Sequence, residues 1–288
     1  MSETIVRSIA REYRIRTGSP ELGSYLAFLE ASPEIEGAAL TPVEITADPV
    51  SDGFLVTLPG RELREASVVA AANRIHQAIF TGIQEEAAGA PLVHGACVVQ
   101  CGRRMVLVGR KGSGKSTLTL HLLARGFDVE GDEHVVLREA DLIAKPRRMR
   151  VKPGSLRFVP ALAEAVLNSP TLPEMPLQEV YAVDPSVAGR PWRIRPGRAD
   201  HLVFLEPNHG GGSALRPLDA DEAFRRLAGD CLVPERQRIV ALTRLRRLVH
   251  DAPAWLLSLG DLFEAEEVLR NCCTRNTPVW SVQESASM

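Results

Sequence analysis

Aromatic residues are scarce, 5% of 288 positions, which leaves little from which to build a base-stacking platform for nucleic acid. Excess positive charge is missing as well. Thirty-four Lys and Arg face 36 Asp and Glu, a formal net charge of -2, so neither nucleic acid nor an anionic membrane is expected as a partner. No stretch approaches the roughly twenty uninterrupted apolar residues of a membrane-spanning helix. Met1 to Arg14 carries Arg and Glu and no apolar segment, so no secretory leader is expected there. The five cysteines, Cys97, Cys101, Cys231, Cys272 and Cys273, are odd in number and scattered, a poor disulfide framework. Cys97 and Cys101 have the spacing of a metal pair, but no second pair follows to complete a four-ligand zinc site. These absences predict a reducing cytoplasm as the compartment. Internal repeats and low-complexity tracts are also lacking.

What is present suits a globular protein with a sizeable core, since 45% of residues are apolar. Turn residues break residues 1–60 into short strand candidates, such as Val43–Thr46 and Phe54–Leu58 around Asp52-Gly53. From Glu62 to Ala88 the rhythm changes, and Val68, Val69, Ala72, Ile75, Ala78, Ile79 and Ile83 recur at helical spacing. Leu92–Val99 then reads as a strand, Cys101-Gly102-Arg103 as a hairpin turn, and Met105–Val108 as a second strand. Gly109–Gly114 reads as a loop, Lys115–Arg125 as a helix, and Phe127–Val129 and Val135–Leu137 as strand pieces around an acidic turn. Strands are expected at His201–Leu205, Ala214–Leu218 and Trp255–Leu259, with helices at 220–228, 234–250 and 261–271. We expect an N-terminal α+β region over residues 1–88, a catalytic α/β domain over 89–275 and a C-terminal tail over 276–288, disordered at its end.

One motif carries chemistry. Residues 109–116 read Gly109-Arg110-Lys111-Gly112-Ser113-Gly114-Lys115-Ser116, followed by Thr117. This fits the phosphate-cradling pattern G-x-x-x-x-G-K followed by Ser or Thr, a P-loop, at every defined position. Glycines let the backbone bend so that successive amides point at phosphate oxygens. The helix that begins near Lys115 adds its positive end. Lys115 supplies a cation to the β- and γ-phosphates of ATP, and the Ser116 hydroxyl completes a Mg2+ shell.

Beyond the helix lies Glu130-Gly131-Asp132-Glu133-His134. By itself this is a solvated acidic turn; next to a phosphate loop, its carboxylates suit metal orientation or proton acceptance. His94, taken alone, reads as a surface or satisfied core residue. Arg138, Lys145, Arg147, Arg148, Arg150, Lys152 and Arg157 form a basic stretch, most of which reads as solvated surface. Lys152 is singled out as a substrate contact by its position after the acidic turn. Trp192, Trp255 and Trp280 are dispersed and read as packing residues.

From Val93 to Leu137 the chain resembles the catalytic domain of HPr kinase/phosphorylase and its relatives. The likeness lies in Val93-His94-Gly95, the hairpin, the loop with Gly114-Lys115-Ser116, Arg125-Gly126 after the helix, and Gly131-Asp132-Glu133-His134-Val135. Lys152-Pro153-Gly154 and Val203-Phe204-Leu205 are similar to segments of the smaller HPr-kinase-related proteins, including serine and peptide kinases. The resemblance implies an α/β fold of PEP-carboxykinase/HPr-kinase type, a mixed sheet with flanking helices. It implies Asp132 as general base, His94 beside the phosphates, and Glu133, one methylene longer than the family's second aspartate, toward the metal. The family's Glu-x-Arg-Gly-x-Gly signature is absent, which argues against HPr as substrate and against phosphorolysis.

The expected activity is therefore phosphoryl transfer from Mg-ATP to a hydroxyl acceptor, either a small molecule or a peptide serine, by a chain that can also self-associate as a homo-oligomer. The alternative is a nucleotide-dependent regulatory or binding module with little transfer.

Overall fold

A computed structural model describes residues 1–87, 90–139, 141–172, 179–233 and 237–274. The expected tail, 276–288, lies outside these described residues.

The first layer is a sheet with helices on one face. Its strands are β1 (Ser2–Arg7), β2 (Arg11–Thr17), β4 (Thr41–Val50), β5 (Gly53–Leu58) and β6 (Arg61–Glu65), in that spatial order. Strict alternation builds it. Tyr13 and Ile15 point into the core, while Arg14 and Arg16 lie on the outer face, where Arg16 pairs with Glu3 and Glu44. Helices α1 (Pro20–Leu26) and α2 (Val68–Glu86) cover the inner face with Leu22, Leu26, Ala72, Ile75 and Ile79. Ser67 caps α2 by accepting from the Ala70 amide. The helical rhythm expected from Glu62 thus begins later. The β5–β6 hairpin claims Arg61–Glu65, and Gly60 makes its turn at a φ of 76°. A two-residue strand, β3 (Glu34–Ile35), leaves this layer to pair with β13 (Arg193–Ile194).

The second sheet carries the site. It contains β7 (Leu92–Gln100), β8 (Arg103–Val108), β9 (Asp128–Leu137), β10 (Leu142–Ala144), β14 (His201–Pro207), β15 (Ala214–Leu218) and β17 (Ala254–Leu259). Their order is β10-β9-β7-β8-β14-β17-β15, and β16 (Cys231–Leu232) pairs with β7. β8, β14 and β17 run parallel, so their carboxyl ends share one edge of the sheet. One face is covered by α3 (Lys115–Ala124) and α7 (Leu262–Thr274), which bring Leu118, Leu122 and Leu269 onto Ala96, Val98 and Leu257. The other is covered by α5 (Ala220–Gly229) and α6 (Arg238–Asp251). A small pair, β11 (Met149–Val151) and β12 (Tyr181–Val183), and the short α4 (Ala163–Leu167) complete the fold. No helix among the described residues is long and apolar enough to cross a membrane.

The acidic segment is not a turn between two strand pieces. β9 runs unbroken from Asp128 to Leu137, because β7 pairs with it throughout. One irregularity makes this workable. Cys97 lies opposite Gly131 and Val98 opposite Val129, so Glu130 is an extra residue, a β-bulge. Its carboxylate is buried and takes two bonds of 3.2 Å from the Arg104 guanidinium, while the Cys97 thiol donates at 3.2 Å. Arg104 also donates to the carbonyls of Arg195 and Arg198, and the Trp192 indole donates to the carbonyl of Glu130. Replacing Arg104 with Ala leaves a buried carboxylate unpaired, and should cost about 3–5 kcal/mol of stability. Urea unfolding followed by circular dichroism checks this; a loss below about 1 kcal/mol, typical of an exposed pair, would contradict the pinning role.

Candidate functional site

The loop begins where β8 ends. The last five residues of β8 are buried, and the chain then turns through Gly109–Gly114 into α3. Gly112 and Gly114 have φ values of 89° and 87°, which side chains rarely adopt. A Cβ on Gly109 would lie 2.4 Å from the Ser113 hydroxyl, and one on Gly114 would lie 3.0 Å from a Leu259 methyl. The Ser113 amide donates to the Arg110 carbonyl at 3.0 Å and closes the turn. Gly114 offers no side-chain cap, so the first amides of α3 are left to an outside partner. The loop sits at the shared carboxyl edge of β8, β14 and β17, the usual ligand edge of such a sheet.

Three expected residues converge beyond it. Ala96 lies opposite Asp132 and His94 opposite His134, so Asp132, His94 and His134 occupy one face of the sheet. This is the face that α3 packs on. Lys115, in the first turn of α3, is buried with its Nζ 3.6 Å from Asp132 Oδ1 and 3.3 Å from His94 Nε2. Burial first, then the Lys115 ammonium, holds the His94 pKa below its ordinary value, so a neutral His94 accepts from the lysine. Burial pushes His134 down to about 4. Its ring lies 5.9 Å from that of His94.

The remaining expected residues are distributed around this centre. Arg110 and Lys111 are exposed on the loop, and Ser116 is half-buried in the first turn of α3. The Thr117 hydroxyl meets the Ser155 hydroxyl at 2.9 Å, which ties the 3₁₀ turn Pro153–Phe158 to α3. Lys152 precedes that turn and is exposed. Glu133 is drawn away from its neighbour. Its backbone has a φ of 118°, and its carboxylate pairs with Arg147 and, at 3.8 Å, with Arg150.

The groups present fit a phosphate ligand. Ser113 Oγ and Asp132 Oδ1 are buried without a hydrogen-bond partner among the described residues, an arrangement that calls for a ligand, water or ion. Among the described residues no three His, Cys, Asp or Glu side chains are grouped to hold a metal. A magnesium ion riding on a nucleotide needs only one or two protein oxygens, since phosphates and water fill its shell. Sequence reasoning missed His134 as a neighbour of Asp132. The alternation Asp132-x-His134 would have revealed it had the segment been read as strand. It also missed that Glu130, in the same acidic run, is a structural residue.

No family model matches the chain, and no curated protein matches it. Among solved structures, the Hpr(Ser) kinase/phosphatase from Coxiella burnetii is similar over 63% of this chain and 95% of its own, at 14% identity and a TM-score of 0.34. The reading of function rests on the loop and its neighbours.

The lowered pKa of His134 has a consequence for stability. An unfolded histidine takes up a proton near pH 6.5, whereas the folded one resists until about pH 4. Over that window the unfolded chain binds more protons, so stability is full above pH 6.5 and falls as pH drops toward 4. Urea unfolding at pH 7.5 and pH 5 should show this loss in the wild type and a smaller loss in His134→Gln. Equal losses in the two proteins would remove His134 from the effect.

Proposed function

We propose that the chain is an ATP-dependent kinase that transfers the γ-phosphate to a hydroxyl acceptor. The observation that carries this is the buried ammonium of Lys115 at the head of α3, held between Asp132 and His94 beside a glycine loop. A loop with free helix amides binds the phosphates, and a carboxylate at the same spot gives the phosphates a partner for chemistry. An anion-binding loop alone would need no buried carboxylate aimed at its lysine.

In this reading the amides of Gly112–Thr117 cradle the β- and γ-phosphates, and Lys115 turns from Asp132 to the phosphate oxygens. Asp132, relieved of its lysine, accepts the proton of the acceptor hydroxyl. The acceptor oxygen bonds to the γ-phosphorus, the bond to the bridging oxygen breaks, and ADP leaves. Neutral His94 donates or accepts a hydrogen bond at the phosphates without adding charge. Ser116, with Glu133 once its arginines release it, would hold magnesium, which when bound neutralises charge on the transferring group. Lys152, exposed at the turn tied to α3, is a candidate contact for the acceptor.

Asp132→Asn keeps the shape and removes the base. It should lower single-turnover transfer from γ-labelled ATP to hydroxyl compounds and serine peptides by roughly 10²–10⁴-fold, with nucleotide affinity little changed. Lys115→Ala should lose triphosphate binding while keeping the circular dichroism of the folded protein, at a lowered unfolding midpoint because Asp132 is left buried without its cation. Slow ATP hydrolysis at one rate, whatever hydroxyl compound is added, would replace the kinase reading with a nucleotide-dependent switch.

A further inference from the structure

A second cavity lies beside the site, between α2, the end of α1 and the chain from Lys145 to Arg150. Its empty volume is about 570 Å3 with the open mouth counted in, and only a small part of it is enclosed. One wall is largely apolar and comes from the N-terminal layer: Phe28, Ile79, Phe80 and Ile83, with His76 among them. The facing wall is basic, with Lys145, Arg147, Arg148 and Arg150.

The charges of this wall do not balance. Lys145 is 6% exposed, and among the described residues its ammonium meets no carboxylate at ion-pairing distance, only the Phe80 ring at 5.1 Å. Burial holds its pKa below the ordinary lysine value. Arg148 reaches Glu30 at 3.4 Å and the Ala27 carbonyl, yet its Nε is buried without a partner. The Nε of Arg150 is buried without one as well. Among the described residues, Glu133 and Glu30 thus pair with three of the four cations, and Lys145 is left without a carboxylate. A buried ammonium without a carboxylate partner, as at Lys145, is costly, and an anion in the cavity would lower that cost.

The cavity adjoins the site through the backbone. Arg147 and Arg150 hold Glu133, the residue after Asp132 in β9. The Lys145 amide donates at 2.9 Å to the carbonyl of His134, which shares a face with Asp132. We propose that this cavity receives the acceptor, and that the acceptor is a small anion, a carboxylate or a phosphate ester, with an apolar body. Its role as acceptor rests on the kinase reading; its amphipathic, anionic character rests on the cavity alone. An anion there also competes with Glu133 for Arg147 and Arg150, so its arrival frees Glu133 beside the phosphate loop.

Calorimetric titration of the nucleotide-free protein with hexanoate, hexyl phosphate and hexanol tests the cavity. At least one of the two anions should bind roughly tenfold or more tightly than hexanol, and the tighter one identifies the headgroup. Phe80 is 43% exposed, so Phe80→Glu should fold normally while its carboxylate occupies Lys145. It and Lys145→Met should each weaken anion binding by roughly tenfold or more, with ATP affinity retained. Hexanol binding as tightly as the anions, or unchanged anion binding in Phe80→Glu, overturns the proposal. A transfer assay with 6-hydroxyhexanoate and with neutral hydroxyl compounds separates the two readings. Transfer only to neutral compounds overturns the acceptor assignment, and no transfer to any compound overturns the kinase reading, whereas anion binding is judged by calorimetry in either case.

Discussion

The register of β9 against β7 is the constraint on which the site depends, and the Arg104–Glu130 pair holds it. Val129 and Asp132 are three positions apart, so in a regular strand they would face opposite sides. Val129 must nevertheless fill the core beneath α3, while Asp132 must face Lys115 on the same side. The extra residue at Glu130 reconciles the two demands. A slip of one residue would send Asp132 to the far face and leave the lysine buried without its carboxylate. A bulge that carries a carboxylate into the core needs a cation there, and Arg104 supplies it with two bonds and a tether to the carbonyls of Arg195 and Arg198.

Charge is kept in balance at the centre and out of balance beside it. Lys115 and Asp132 offset one another in a buried place, and the two histidines nearby stay neutral because burial disfavours their charged forms. The centre is therefore ready for a ligand that brings negative charge, since the lysine can exchange one anion for another at little cost. The wall formed by Lys145, Arg147, Arg148 and Arg150 is different. Its cations outnumber the carboxylates they touch, and the apolar residues opposite come chiefly from α2 and the turn after α1. On the proposal made for this cavity, the N-terminal layer takes a part in recognition besides packing.

Glu133 links the two regions. Its left-handed backbone turns its carboxylate to arginines that follow β10, while Asp132 stays with the lysine. The adjacent carboxylates thus serve separate cations in the free protein. Any ligand that competes for those arginines changes the charge beside the phosphate loop, which couples the two regions without a large movement of the chain.

The sequence by itself determined the loop from Gly109 to Ser116, because that backbone path needs glycines at fixed positions and a lysine and hydroxyl at the helix start. It also determined the hairpin at Cys101-Gly102, where both residues have positive φ, and the strand–helix alternation that makes an α/β sheet. Local chemistry decides such features, so local sequence reveals them. Only the tertiary structure decided that Glu130–His134 is strand and not turn, since pairing with β7, distant in sequence, outweighs the local preference of an acidic, glycine-containing run. Only it separated Glu130, Asp132 and Glu133 into three environments, as one bulge and one positive φ reset the faces. It also turned Lys145 and Arg148 from an expected solvated stretch into the wall of a cavity, because what buries them is α2 and the end of α1, elements contributed by a part of the chain far upstream.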